Sequence, residues 1–86
     1  MLYEINDKKR FIEFVSYNDE DDEYPIIESV DKKIIVGVTV TWNNDDDGFE
    51  LDVFDKYHNN VFSTAIEEDY DTLEDMYRVI MALIRE

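Results

Sequence analysis

Cysteine is absent from the chain, which excludes disulfides, thiol nucleophiles and thiolate metal sites. There is one histidine, His58, so no zinc centre can draw on a second imidazole. Two glycines and one proline leave no material for a glycine-rich phosphate loop, and no internal repeat or flexible linker is visible. No apolar run approaches the ~20 residues of a membrane-spanning helix. The opening MLYEINDKKR carries acids where a secretion signal has its basic and apolar regions, so a soluble, cytoplasmic protein is expected. Basic residues are also scarce: eight Lys and Arg stand against 23 Asp and Glu. That balance argues against direct binding to nucleic acid or anionic lipid, whose phosphates would repel the chain.

What is present suits one small acidic α+β domain spanning 1–86. Hydrophobic residues make up 44% and aromatics 14%, enough for a packed core. The net charge is −15 and the isoelectric point is about 4.1. Salt adaptation is a poor explanation, because Lys8, Lys9, Lys32, Lys33 and Lys56 are retained and large apolar residues are plentiful. The charge therefore favours a basic partner, although acidity alone also serves solubility.

The stretch Ile34–Phe54 specifies structure most strongly. Val36, Val38, Val40 and Trp42 alternate with Ile35, Gly37, Thr39 and Thr41, and the first set is expected to meet the core. After the loop Asn43–Gly48, Phe49, Leu51 and Val53 alternate with Glu50 and Asp52, so the two runs read as an antiparallel hairpin. A second turn at Asp55–Asn60, with Asn59 and Asn60 suited to left-handed geometry, leads to a third strand at Val61–Ile66.

Upstream, Met1–Ile5 and Phe11–Tyr17 read as a hairpin across a polar turn at Asn6–Arg10. The alternative is a helix capped by Asn6 or Asp7, with Phe11, Phe14 and Val15 on one face. Asn18–Tyr24 is too acidic for a strand and reads as a solvated loop. Ile26–Val30 fits a short edge strand, followed by a turn at Asp31-Lys32-Lys33. The chain closes in a helix capped by Asp71 or Thr72, with Glu74 completing a capping box. Leu73, Met76, Tyr77, Ile80, Leu83 and Ile84 recur at helical spacing and should pack on the sheet. The expected architecture is a small antiparallel meander of about four to five strands against a C-terminal helix.

Charge is unevenly spread. Residues 19–28 carry six acids and no base, and residues 43–76 carry twelve acids with only Lys56. Glu50 and Asp52 share a strand face at ~6.8 Å, twice the strand rise. Glu67, Asp71 and Glu74 would line one helix face if the helix began early. Such carboxylate rows, without interspersed lysines, can imitate a phosphate backbone to a protein that reads phosphates. The residues assigned to partner binding are Asp45, Asp46, Asp47, Glu50, Asp52, Glu67, Glu68, Asp69 and Asp71. The competing reading is a solvated acidic face without a partner.

Other chemistries fit less well. Asn43, Asp45, Asp47 and Gly48 match the start of a calcium loop, but its twelfth position is Phe54 where a bidentate Glu is needed. His58 lies alone in a turn, Ser16, Ser29 and Ser63 lack a nucleophile-elbow context, and paired carboxylates need a cleft to separate their pKa values. No cofactor, metal or enzymatic activity is expected. Tyr24, Tyr57 and Tyr70 sit among acids as candidate interface anchors. In size, acidity and α+β character the chain resembles the small inhibitors that phages and mobile elements use against restriction, CRISPR or repair enzymes. That resemblance implies a DNA-mimic inhibitor blocking a basic groove. The alternative is an immunity or regulatory protein that meets one partner through a sheet edge or its tyrosines. An exposed edge strand also allows a homodimer.

Overall fold

The computed structural model describes residues 2–17 and 24–85. Six strands form two antiparallel three-stranded sheets, and one α-helix closes the core between them. The first sheet holds β1 (Leu2–Lys8), β2 (Phe11–Tyr17) and β3 (Ile26–Asp31), in that order. The second holds β4 (Gly37–Asn43), β5 (Gly48–Phe54) and β6 (Asn60–Ser63), and α1 spans Tyr70–Ile84. The fold is α+β as the sequence pattern implies, but the strands split into two sheets rather than one meander. The 3-10 turn at Lys32–Ile34 makes the split by turning the chain out of the first sheet. The acidic loop expected at Asn18–Tyr24 lies, apart from Tyr24, outside the described residues.

The N-terminal hairpin forms, and its connection is tighter than expected. Pairing runs from Leu2–Tyr17 to Lys8–Phe11, which leaves only Lys9 and Arg10 to turn. Lys9 takes a left-handed φ of 64°, and its N–H donates to the Asp7 carboxylate at 3.0 Å. Strand alternation sends Ile12 and Phe14 inward together, which a helix would not do. In the second hairpin the register Asn43–Gly48 to Gly37–Phe54 confirms the predicted pairing. The β5–β6 turn is held by the Asp55 carboxylate, which accepts from the N–H groups of Tyr57 and Asn59. There the left-handed residue is His58, with φ 63°, rather than Asn59 or Asn60.

The core joins the layers. The Phe14 ring of the first sheet stacks on Phe62 of the second at 4.1 Å. Leu51, Val53, Leu73 and Ile80 are fully buried between the sheets and the helix, each contributing roughly 1.5–3 kcal/mol by leaving water. Two expectations for the β4 region fail. Val36 is exposed while Ile35 is buried, because Ile35 caps the 3-10 turn through its N–H to the Lys32 carbonyl and swings inward before β4 begins. Trp42 shares a face with Val38 and Val40 but is 49% exposed. It stands at the turn end, where its ring lies edge-on to Phe49 and Phe49 in turn packs on Tyr70, the first residue of the helix.

The helix also starts earlier than its expected cap. Asp69, in extended backbone, accepts from the Asp71 N–H at 3.0 Å and from the Thr72 hydroxyl at 2.8 Å, so it is the N-cap. Asp71 and Thr72 are therefore first-turn residues. No Asp71–Glu74 capping box forms, since Glu74 lies inside the helix and accepts from Arg78 at 3.0 Å. The apolar stripe is as expected for Leu73, Met76 and Ile80, with Leu83 and Ile84 partly buried; Tyr77 lies at its margin, 36% exposed.

Candidate functional site

The β4–β5 turn is built around Asn43. Its side-chain oxygen accepts from the N–H groups of Asp45 and Asp46, at 3.0 and 3.2 Å, and Asp47 takes a left-handed φ of 55°. Such an Asx turn spends the short polar side chain inward and displays the next carboxylates outward. Asp45, Asp46 and Asp47 are all exposed. The Trp42 indole N–H donates to the Asn44 side chain at 2.6 Å, fixing the ring beside this turn.

The second acidic segment reaches the same place through β5. Phe49 and Glu67 exchange backbone hydrogen bonds, each 2.8 Å long, in a bridge beyond the end of β6. Gly48 permits the approach, because a Cβ there would run into the Ile66 side chain and lie 3.1 Å from the Glu67 carbonyl. Tyr70 then packs edge-on against Phe49 at 5.2 Å, and Trp42 also does so at 4.9 Å. Glu68, Asp69 and Asp71 follow this bridge and are exposed, and Gly48, which directly follows Asp45–Asp47, lies against Ile66 and Glu67. This corrects the placement of Glu67: it is paired to a strand and does not extend a helical row with Asp71 and Glu74.

The nine assigned carboxylates are not equivalent. Glu50 and Asp52 sit half-buried on the outer face of the second sheet, opposite Thr41 and Thr39. Glu50 accepts from Asn43 Nδ2 at 3.3 Å and Asp52 from the Ser63 hydroxyl at 2.7 Å. Asp69 is engaged in the cap, and the Thr72 hydroxyl, followed by backbone N–H groups, holds its carboxyl below the usual carboxylate range. Glu67 lies close enough to Tyr3 to add to the burial that raises that phenol, whose oxygen accepts from the Ala65 N–H at 2.8 Å. Asp45, Asp46, Asp47, Glu68, Asp69 and Asp71 are exposed, and of these Asp69 is committed to the helix cap.

The cations gather at the other end. Six of the eight basic residues cluster here: Lys8 ends β1, Lys9 and Arg10 form the β1–β2 turn, Lys32 and Lys33 lie on the 3-10 turn and Lys56 on the β5–β6 turn. These turns meet: the Lys32 N–H donates to the Arg10 carbonyl, and Lys33 and Lys56 line one cleft. Arg10 pairs with Asp31 at 3.0 Å and Lys32 with Asp7 at 2.8 Å; the Lys33 N–H and then Arg10 lower the Asp31 carboxyl, and Lys32 lowers that of Asp7. Seven-residue strands β4 and β5 separate this end from Asp45–Asp47, a distance of ~20 Å at the usual rise. Among the described residues the charge is thus polar along the second hairpin.

Among the described residues no group of three or more His, Cys, Asp or Glu is placed to hold a metal ion, and no helix is long and apolar enough to cross a membrane. Trp42, like Val36, is misassigned by alternation alone. Its signal in the sequence is position: it directly precedes the turn, where a strand outruns the layer that covers it. Comparison with protein-family models, with curated proteins and with solved structures gives no match.

Proposed function

We propose that this protein is a non-catalytic binding module whose acidic pole docks into the basic groove of a nucleic-acid-binding protein and excludes the nucleic acid. The observation that carries this reading is the Phe49–Glu67 bridge, which gathers two acidic segments distant in sequence at one end while the cations collect at the other. A charge pole of this kind orients the approach and accelerates encounter with a basic surface. Asp45, Asp46, Asp47, Glu68 and Asp71 make the electrostatic contacts, and Glu50 and Asp52 continue the row along the sheet. An inhibitor acting on restriction, CRISPR or repair enzymes is the biological role that fits this mode of action.

The test is retention of lysate proteins on the immobilised wild type and on an Asp45→Lys, Asp46→Lys, Asp47→Lys variant. Nucleic-acid-binding proteins retained by the wild type, released by salt and lost on the variant support the reading. An identical retained set on both sinks it. Recognition of one cognate partner through exposed aromatic side chains is the second reading, favoured by the exposure of Trp42, Tyr57 and Tyr70. It predicts retention that survives high salt.

A further inference from the structure

The edges of the two sheets are treated differently. β1 carries Glu4, Asp7 and Lys8, β3 follows Pro25 and carries Glu28 and Asp31, and β6 is four residues long with a bulge where it meets β5. Charge, proline, brevity and bulges are the usual means of keeping an edge from pairing with another chain. β4, with the sequence GVTVTWN, has none of them: it is seven residues long, uncharged and in unbroken register with β5.

Its hydrogen-bonding groups point the right way for pairing. Phe49 uses its N–H and C=O on Glu67, while Leu51 accepts from the Thr64 N–H and donates to the Thr64 hydroxyl, so both turn away from β4. The residues opposite them are Trp42 and Val40. In an antiparallel ladder such positions direct their own N–H and C=O outward. Among the described residues β4 pairs with no strand other than β5. Alongside Val40 runs a groove of about 430 Å³ whose other wall is the flank of α1: Tyr70, Glu74, Tyr77 and Arg78.

We infer that the β4 edge is a docking site for an extended, Lys- or Arg-bearing segment of a partner protein, which adds as a fourth strand to the second sheet. This rests on the basic-partner reading and gives it a register. Charge decides the occupant. A second copy would bring a further −15 and its own Asp45–Asp47 turn to the same sheet, whereas a basic segment meets Glu50 and Asp52 on the outer face and, in the groove, Glu74, for which it competes with Arg78. Alternate side chains would enter the groove beside Val40, Tyr77 and Glu74, where a guanidinium can stack on the tyrosine and exchange with Arg78 for the Glu74 carboxylate. The others would lie over Thr39 and Thr41, next to Glu50 and Asp52. Main-chain hydrogen bonds then contribute affinity and the alternate pockets specificity.

Trp42 is the only tryptophan, so its fluorescence reports on this edge directly. The probe is an eight-residue alternating Arg-Val peptide, compared with the same peptide N-methylated on one strand edge, with a Ser-Val peptide and with a Glu-Val peptide. The inference expects one-to-one binding of the Arg-Val peptide with a change in Trp42 emission and slowed amide exchange at Val40 and Trp42. N-methylation should weaken it at least tenfold, and the Ser-Val and Glu-Val peptides should not bind. Equal binding of the methylated peptide, with amide shifts confined to Asp45–Asp47, Glu68 and Asp71, overturns the strand docking while leaving the acidic-pole reading intact. Equal binding of Ser-Val overturns the basic commitment. Concentration-dependent dimerisation in sedimentation, lost on adding the Arg-Val peptide, would make a second copy the occupant and overturn it too.

Discussion

Phe49 and Glu67 are joined by two backbone hydrogen bonds of 2.8 Å, one in each direction, although β6 has already ended at Ser63. This latch sets where the helix begins, because Asp69 follows it directly and caps α1. It also sets where the charge goes, because it brings the acids before the helix up to the turn of the β4–β5 hairpin. Fold and candidate site therefore depend on the same contact.

Gly48→Ala tests the latch. The added methyl meets Ile66 and the Glu67 carbonyl, so the segment must shift. A loss of about 1–3 kcal/mol is expected in urea unfolding, with faster exchange of the Phe49 and Glu67 amides. Unchanged exchange would show that the approach does not depend on the missing side chain.

Trp42→Ala and Leu51→Ala separate exposed from buried positions on the same face of one sheet. Leu51 is completely buried, and its truncation should cost about 2–5 kcal/mol. Trp42 is half exposed, and its truncation should cost less than half as much, although it removes the larger side chain. Equal losses would return Trp42 to the core.

Ion quenching reads the field around the indole. Trp42 stands beside Asp45–Asp47, held by Asn44. Relative to a neutral free indole, the ratio of caesium to iodide quenching should be raised at low salt, and the excess should shrink as the Debye length falls below ~10 Å near 0.1 M. A ratio equal to that of the free indole would remove the acidic pole from its vicinity.

Acid has two opposing effects on stability. Lowering the pH from neutrality towards the isoelectric point of about 4.1 relieves repulsion among the acids, so the thermal midpoint should first rise. Asp7, Asp31, Asp55 and Asp69 all have carboxyls lowered from the ordinary 3.8 in the folded state. For such groups the contribution is present above the unfolded pKa and is lost as pH falls through the lower, folded one. Stability should therefore drop below about pH 4. Sodium chloride at neutral pH should raise the midpoint as well, and a midpoint insensitive to salt would mean the acids are too far apart to repel. Asp69→Ala should remove part of the acid-side fall and destabilise the helix more than Asp71→Ala does, which identifies the cap by measurement.

Much was legible in the sequence because it is local. The alternation of Phe49, Leu51 and Val53 specifies a strand with one buried face, and the 3.6 spacing of Leu73, Met76 and Ile80 specifies an amphipathic helix. The turn Asn43–Gly48 follows from short polar side chains between two such runs. Each of these rests on the geometry of neighbouring residues, which composition and spacing encode directly. The acidic segments, too, can be counted before any fold is known.

What only the tertiary structure decided concerns which elements meet and where coverage stops. That the strands divide into two sheets depends on a single 3-10 turn and on Phe14 stacking against Phe62. Asp69 rather than Asp71 caps the helix because the Phe49–Glu67 bridge delivers the chain there in extended form. Trp42 remains half exposed at the end of β4, on the same face as the buried Val38. The two acidic segments become one pole, away from six of the eight cations, by the same bridge. Periodicity reports which way a side chain faces; only packing determines whether anything stands opposite it.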